Sequence, residues 1–293
     1  MIETSESSKA HQRRSTLLGL GAIALWSSLA ALTVLSGTVP PYQLTAITFA
    51  IATLVGLVWA RAMGQAIAQL RDVPAGAWAF GIYGLVGFHV CYFMALRQAP
   101  PMEASLVCYL WPLLIVVFSG LGDGSSLSVR NVLGAALGFF GTALVMFDAA
   151  GRPSFSGSLG GYGLAAAAAF IWASYSVGSR RFQHVPSLAV VGACAATAIV
   201  GLFLHLVFET TVWPHSAMQL TALMGLGLGP TGLAFYLWDE GMKHGQVRLL
   251  GAASYATPLL STVLLAALGL GTLSPLIIVG ALMVTLGAAL AGQ

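Results

Sequence analysis

Tyr109-Leu110-Trp111-Pro112-Leu113-Leu114 and Tyr255-Ala256-Thr257-Pro258-Leu259-Leu260 are two versions of one pattern, set 146 positions apart in a chain of 293 residues. At the same offset Trp26 falls on Trp172, Ser28 on Ser174, Pro40 on Pro186 and Arg97 on Lys243. Leu127 and Ser128 fall on Leu273 and Ser274, and Gly134 and Gly141 on Gly280 and Gly287. Alanine-rich apolar stretches coincide by accident, but prolines and tryptophans matched at a single offset do not. The chain therefore reads as a duplication.

Composition sets the solvent. The sequence is 58% hydrophobic and 7% charged, whereas a water-soluble domain carries roughly a quarter of its residues as charges. There is too little polar surface to cover a globule in water. Apolar runs of the length that crosses a bilayer, about twenty residues, fall at 15–36, 41–60, 75–98, 101–120, 128–147, 158–180, 186–208, 217–240, 246–269 and 272–292. The separators are short and carry breakers or charge: Pro40-Pro41, Arg71-Asp72, Pro100-Pro101, Gly122-Asp123-Gly124 and Arg180-Arg181. Barrel strands need only about ten residues with alternation, so these runs are helices. The expected architecture is an all-α integral membrane protein of ten transmembrane helices: a cytoplasmic tail at 1–14, a first five-helix repeat at 15–147 and a second at 158–292. Five is odd, so the second repeat is inverted, a device that recurs among secondary transporters.

Charge gives the orientation. With the N-terminus inside, Lys9, Arg13, Arg14, Arg61, Arg71, Arg130, Arg180, Arg181, Lys243 and Arg248 are cytoplasmic and only Arg97 and Arg152 are external, which puts both termini inside. The net charge of +3 is scattered singly, so no nucleic-acid partner is read from it. Lys9, Arg13 and Arg14 ahead of Leu17 imitate a signal peptide, but the run has no obvious small-residue cleavage site and belongs to the repeat. Cys91, Cys108 and Cys194 lie in apolar runs and read as packing residues rather than a disulfide framework.

Three groups of residues are candidates for function. Pro112 and Pro258 sit inside spans, where each removes a backbone hydrogen bond and clashes with the preceding turn. In lipid the freed carbonyl must face protein or a wet cavity. The plainer reading is a structural kink; their pairing across the repeat favours a hinge or a cavity wall. The second group is aromatic: Trp26, Tyr92, Tyr109, Trp111, Trp172, Tyr175 and Tyr255 lie too deep for interfacial belts. Their O–H and N–H groups need partners when buried, which points them inward, either to pack helices or to line a cavity. The third group is ionisable, and such residues within a membrane are functional candidates by default. His89 shares a helix face with Tyr92 and is expected in the cavity, whereas His205 is expected at the outer interface. Asp239 and Glu240 beside Lys243 and Arg248 read as a solvated helix end or, more sharply, as a gating ion pair. The substrate-binding set is thus His89, Tyr92, Trp111, Trp172, Tyr175, Trp26 and Tyr255, with Pro112 and Pro258 as hinges and Asp239, Glu240 and Lys243 as a gate. Walker A, zinc-protease and Gly-x-Ser-x-Gly patterns are missing, so no catalytic residue, metal or cofactor is assigned. Gly134-x-x-x-Gly138 signals tight helix packing, and the protein is expected to be a monomer.

Each half carries an apolar-Trp-(Ser/Ala)-Ser motif, Leu25-Trp26-Ser27-Ser28 and Ile171-Trp172-Ala173-Ser174. With Tyr109-Leu-Trp-Pro112, Phe170-Ile-Trp-Ala-Ser-Tyr175, Lys243-His-Gly245 and Ala252-Ala-Ser-Tyr-Ala-Thr-Pro258, the chain from about residue 15 onward resembles the drug/metabolite transporter superfamily, EamA type. Within that group it is most similar to aromatic amino acid exporters of the YddG kind. The resemblance implies a cell inner membrane protein that exports aromatic and related neutral amino acids by alternating access, with toxic organic cations as a further substrate class. Two alternatives compete. A nucleotide-sugar or other metabolite transporter of the same superfamily would want Lys or Arg in its cavity for an anion, and the chain has none at mid-span. An intramembrane enzyme would use His89 with Asp239 or Glu240, which must then lie within hydrogen-bond reach. No second mid-span acid is available to pass on a proton from His89, so exchange or downhill transport is expected rather than obligatory proton antiport.

Overall fold

The computed structural model describes residues 2–62, 67–122, 128–150, 158–271 and 273–291. Asp123, Gly124, Leu127 and Arg152, used above, lie outside them. All regular structure among the described residues is helical. The first half contains α1 (Ile2–Ser27), α2 (Leu29–Leu35), α3 (Pro41–Ala62), α4 (Ala75–Ile82), α5 (Phe88–Gln98), α6 (Pro101–Cys108), α7 (Trp111–Gly122) and α8 (Val129–Ala150). The second contains α9 (Leu159–Gly178), α10 (Val190–Phe208), α11 (Ala217–Leu228), α12 (Ala234–His244), α13 (Val247–Ala253), α14 (Ala256–Ala267) and α15 (Pro275–Ala291). Eight helical stretches among the described residues are long and apolar enough to cross a membrane. The other two apolar runs correspond to α9, of 20 residues, and the shorter α15, of 17. The chain is a multi-pass membrane protein.

The helix boundaries follow from local chemistry. Pro41 and Pro101 open α3 and α6, where the missing N–H costs nothing because the first-turn donors have no intrahelical partner. Ser158 and Ser216 cap α9 and α11, their hydroxyls accepting from Gly161 N (3.0 Å) and Gln219 N (3.2 Å). The interruptions inside spans come in pairs. The α6–α7 break at Tyr109-Leu110 and the α13–α14 break at Ser254-Tyr255 each lie just before an intra-span proline, whose ring clashes with the carbonyl four residues back. Two π turns, Tyr83–Gly87 between α4 and α5 and Gly229–Leu233 between α11 and α12, stand at equivalent positions of the two halves. Such turns are rare and gather at functional sites.

The tightest packing joins the first half to the second. α8 meets α15, α3 meets α10, α1 meets α12 and α5 meets α9. All four pairs are antiparallel. Gly134 faces Gly287 while Gly141 faces Gly280; Ala46 lies against Gly201 and Gly56 against Val191. Gly19 lies against Gly241 and Leu25 against Gly229; Phe80 touches Gly178 and Gln98 touches Gly161. Exchanging the halves maps α3–α10 and α8–α15 onto themselves and α1–α12 onto α9–α5. The α8–α15 seam is closed by backbone: a Cβ on Gly134 would lie 2.5 Å from the Gly287 carbonyl oxygen, and one on Gly141 2.9 Å from that of Gly280. Small residues allow this approach where lipid supplies no hydrophobic drive between helices.

At one end of the bundle Glu209 accepts from the backbone N–H groups of Tyr42 (3.0 Å) and Gln43 (3.1 Å) and meets His205 Nδ1 at 3.0 Å. A carboxylate there satisfies donors that the start of α3 leaves open. His205 is 4% exposed, held inside this clamp near the end of its span. Gln43 and Val212 exchange two hydrogen bonds of 2.9 Å. The opposite end, reached by the start of α1 and the end of α12, is the basic end, carrying Arg13, Arg14, Arg180 and Arg181.

Candidate functional site

A cavity of about 420 Å³ lies between α1–α2, α5, α6–α7, α9, α12 and α14. It falls within the range of small-molecule sites, about 300–1,000 Å³. Its floor is aromatic. Trp26 packs against Trp172 (ring centroids 5.9 Å apart), Phe235 (5.9 Å) and Trp111 (6.4 Å), mostly edge to face. The Trp26 indole N–H donates to the Pro230 carbonyl at 3.0 Å, so the second π turn holds that ring in place. His89 and Tyr92 project from α5 beside Phe88, which stacks on Tyr92 at 5.7 Å. The Tyr92 and Ser105 hydroxyls are 2.9 Å apart. His89 Nδ1 lies 2.7 Å from the Leu85 carbonyl of the first π turn. A carbonyl only accepts, so Nδ1 carries the proton and Nε2 is left as an acceptor. From this floor the cavity extends away from the basic end, past Leu29, Met146, Ser261, Thr262 and Leu265. Among the described residues, none on its wall is Asp, Glu, Lys or Arg.

Toward the basic end the space is closed in two layers. Trp238, 1% exposed, lies under the floor, stacked on Trp172 at 6.4 Å, and donates to Ser176 Oγ at 3.1 Å. Beyond it Lys243 Nζ meets Asp239 Oδ2 at 2.7 Å and donates to the Val185 carbonyl at 2.9 Å, while Ser187 Oγ donates to Asp239 Oδ2 at 2.7 Å. Asp239 and Lys243 are each 5% exposed, which replaces the solvated helix end of the plainer reading with a buried, hydrogen-bonded pair. Glu240 takes no part in it; its carboxylate accepts from Ser15 Oγ of α1 at 3.0 Å.

The structure therefore brings together Trp26, His89, Tyr92, Trp111, Trp172 and Pro258 on the cavity wall, and adds Phe88, Tyr109, Pro230, Thr231 and Phe235. Tyr175 and Tyr255 stand elsewhere. Tyr175 lies between Trp172 and Phe80, beside a small void of about 30 Å³ shared with Asp239 and Lys243. Tyr255 is 0% exposed; its hydroxyl accepts from Leu113 N–H at 3.1 Å and its carbonyl accepts from Thr142 Oγ1 at 3.2 Å. It is a strut between the two broken spans. Pro112 is also off the wall, while its repeat mate Pro258 is on it. His89 is bonded to Leu85, and Asp239 to Lys243 and Ser187, below the Trp238 layer, so the pairing that an enzyme would need is not formed.

The profile of the EamA-like transporter family matches residues 13–147 and again 159–293. The chain is similar to the aromatic amino acid exporter YddG of Ancylobacter novellus, with 48% identity over 278 residues, covering 94% of this chain and 96% of that protein. It is also similar to the aromatic amino acid exporter YddG of Escherichia coli, with 28% identity, covering 95% and 97%. A solved crystal structure superposes with a TM-score of 0.88 at 46% identity, covering 95% of this chain and 97% of that one.

Proposed function

The chain belongs to the EamA-like transporter family, and on that premise we propose that it is a secondary transporter exporting aromatic and other neutral amino acids from the cytoplasm by alternating access. The observation that carries this reading is the uncharged aromatic cavity, closed on the basic side by Trp238 and the Asp239–Lys243 pair. The side chain of phenylalanine, tyrosine or tryptophan gains flat apolar walls from Trp26, Trp111, Trp172 and Phe235, with ring contacts of about 0.5–1.5 kcal/mol each beyond burial. The ammonium is attracted to the same ring faces and to His89 Nε2 as a neutral acceptor. An anionic metabolite finds no cation in the wall to replace its water, so nucleotide sugars and sugar phosphates fit poorly. The test is counterflow in proteoliposomes with labelled phenylalanine, tyrosine, tryptophan and a sugar phosphate. Aromatic amino acids are expected to exchange and the sugar phosphate is not; the reverse preference refutes the assignment.

The finer architecture belongs to the same reading. Residues 15–147 and 158–292 are two inverted repeats of five spans, a monomer in the inner membrane with both termini cytoplasmic and no nucleic-acid partner. The antiparallel pairing of α3 with α10 and of α8 with α15 supports the inversion, and the basic end supports the orientation. The cavity described is then outward-facing, Asp239 and Lys243 form the inner gate, and α7 and α14 swing about Pro112 and Pro258. Cysteines placed at Gln69 and Gln183 in a chain freed of its native three should resist an impermeant thiol reagent in whole cells and react in inside-out vesicles. Labelling from outside overturns the orientation.

A further inference from the structure

We propose that His11, Glu240 and His244 form a binding site for a divalent transition-metal ion of the zinc class, tying the N-terminal end of α1 to the end of α12. The side-chain donor atoms of the three residues all lie within 4.8 Å of one another. Glu240 and His244 are one turn apart on α12 and share a face. His11 and Ser15 bear the same relation on α1, which runs antiparallel against it. The His11 and His244 rings are 5.2 Å apart, tilted by 58°. Ser15 Oγ, donating to Glu240 Oε1, orients the carboxylate as outer partners do at metal sites.

The scaffold under these ligands is rigid. A Cβ on Gly241 would lie 2.7 Å from Gly19 Cα, and one on Gly245 would lie 3.0 Å from Thr16 N. Backbone thus meets backbone on both sides of His244. A four-coordinate zinc ion with bonds of about 2.0–2.2 Å sets its ligand atoms on the order of 3.4 Å apart, so the ligands have at most about 1.4 Å to close. His11 is exposed, whereas Glu240 and His244 are half-buried, and the closing movement falls to His11. Two imidazole nitrogens and one carboxylate suit zinc, cobalt, nickel or copper(II); magnesium and calcium want oxygen ligands throughout. The set leaves a fourth position to water, and its single negative charge partly offsets that of the ion.

The experiment is a metal titration of tag-free protein in detergent, read by melting temperature and by the visible absorption of bound cobalt(II). Zinc or cobalt is expected to raise the melting temperature by several degrees at an excess over Kd, since an ion that binds only the folded state stabilises it. Magnesium at the same concentration is expected to do nothing. His11→Ala, at an exposed position that leaves the fold intact, should weaken cobalt binding at least tenfold and remove the four-coordinate spectrum, and His244→Ala should do the same. The site is refuted if wild type shows no shift and no spectrum, or if both survive in the His11→Ala/His244→Ala double variant, which means adventitious metal only. Neither readout depends on transport, so failure here leaves the substrate assignment untouched.

Discussion

Replacing Trp172 by leucine is expected to raise the KM for phenylalanine roughly tenfold while the protein stays folded, and replacing it by alanine to abolish flux. Trp172 touches the rings of Phe88 (5.4 Å), Tyr175 (5.6 Å), Phe235 (5.7 Å), Trp26 (5.9 Å), Trp111 (6.4 Å) and Trp238 (6.4 Å). It joins the cavity floor to the layer that seals it. Leucine keeps apolar volume but gives up the ring contacts to substrate; one or two of these, at about 0.5–1.5 kcal/mol each, amount to about tenfold in binding. Alanine also leaves a hole that costs about 3–5 kcal/mol, and the floor collapses into it. Counterflow on reconstituted protein, with size-exclusion profiles of each variant, separates the two effects. Normal flux in a monodisperse Trp172→Leu protein removes this ring from the substrate path.

Lys243→Met is expected to be the most damaging single change at the proposed inner gate. It leaves the Asp239 carboxylate buried with Ser187 as its remaining partner, and breaking one side of a buried pair costs about 3–5 kcal/mol. Adding Asp239→Asn removes the stranded charge and should recover most of the melting temperature. Transport should not recover with it, because the Val185 carbonyl has also lost its donor and only the Ser187 hydroxyl is left to tie the segment before α10 to residue 239 of α12. Equal melting temperatures for the single and double variants would show that the pair is not coupled. Full transport in the double variant would show that the Val185 contact is not part of the gate.

Much of this molecule was legible because its signals are regular. Proline, tryptophan and the length of apolar runs survive duplication, and they located Trp26, Trp111 and Trp172 on one cavity wall. Legibility ended where a side chain's surroundings are set by partners far away in the chain. Tyr109 and Tyr255 are equivalent in sequence, yet one lines the cavity and the other is taken up by Leu113 N–H. Trp238 carries no such mark in the sequence: Asp239 and Glu240 follow it, and charges at a span's end suggest water. It is instead the most buried tryptophan in the floor region, 1% exposed and next to a buried ion pair. The π turns have no compositional mark; Gly229-Pro230-Thr231-Gly232 was the one visible hint, and Gly84 at its mate position is too common a residue to weigh. His11 and His244 meet only because α1 and α12 pack antiparallel.

The helix pairing has a bearing on biosynthesis. α1, α3, α5 and α8 each find their closest neighbour in the half of the chain made later. Trp26 waits for the Pro230 carbonyl, the N–H groups of Tyr42 and Gln43 for Glu209, Asn131 for the Ala291 carbonyl and Thr142 for that of Tyr255. At about 5–20 residues per second on the ribosome, the first half spends on the order of 10 s in the bilayer with these donors unmet and its glycine seams facing lipid. The native bundle is thus complete only once α15 has emerged to meet α8, and a chain halted in the middle keeps its glycine seams against lipid.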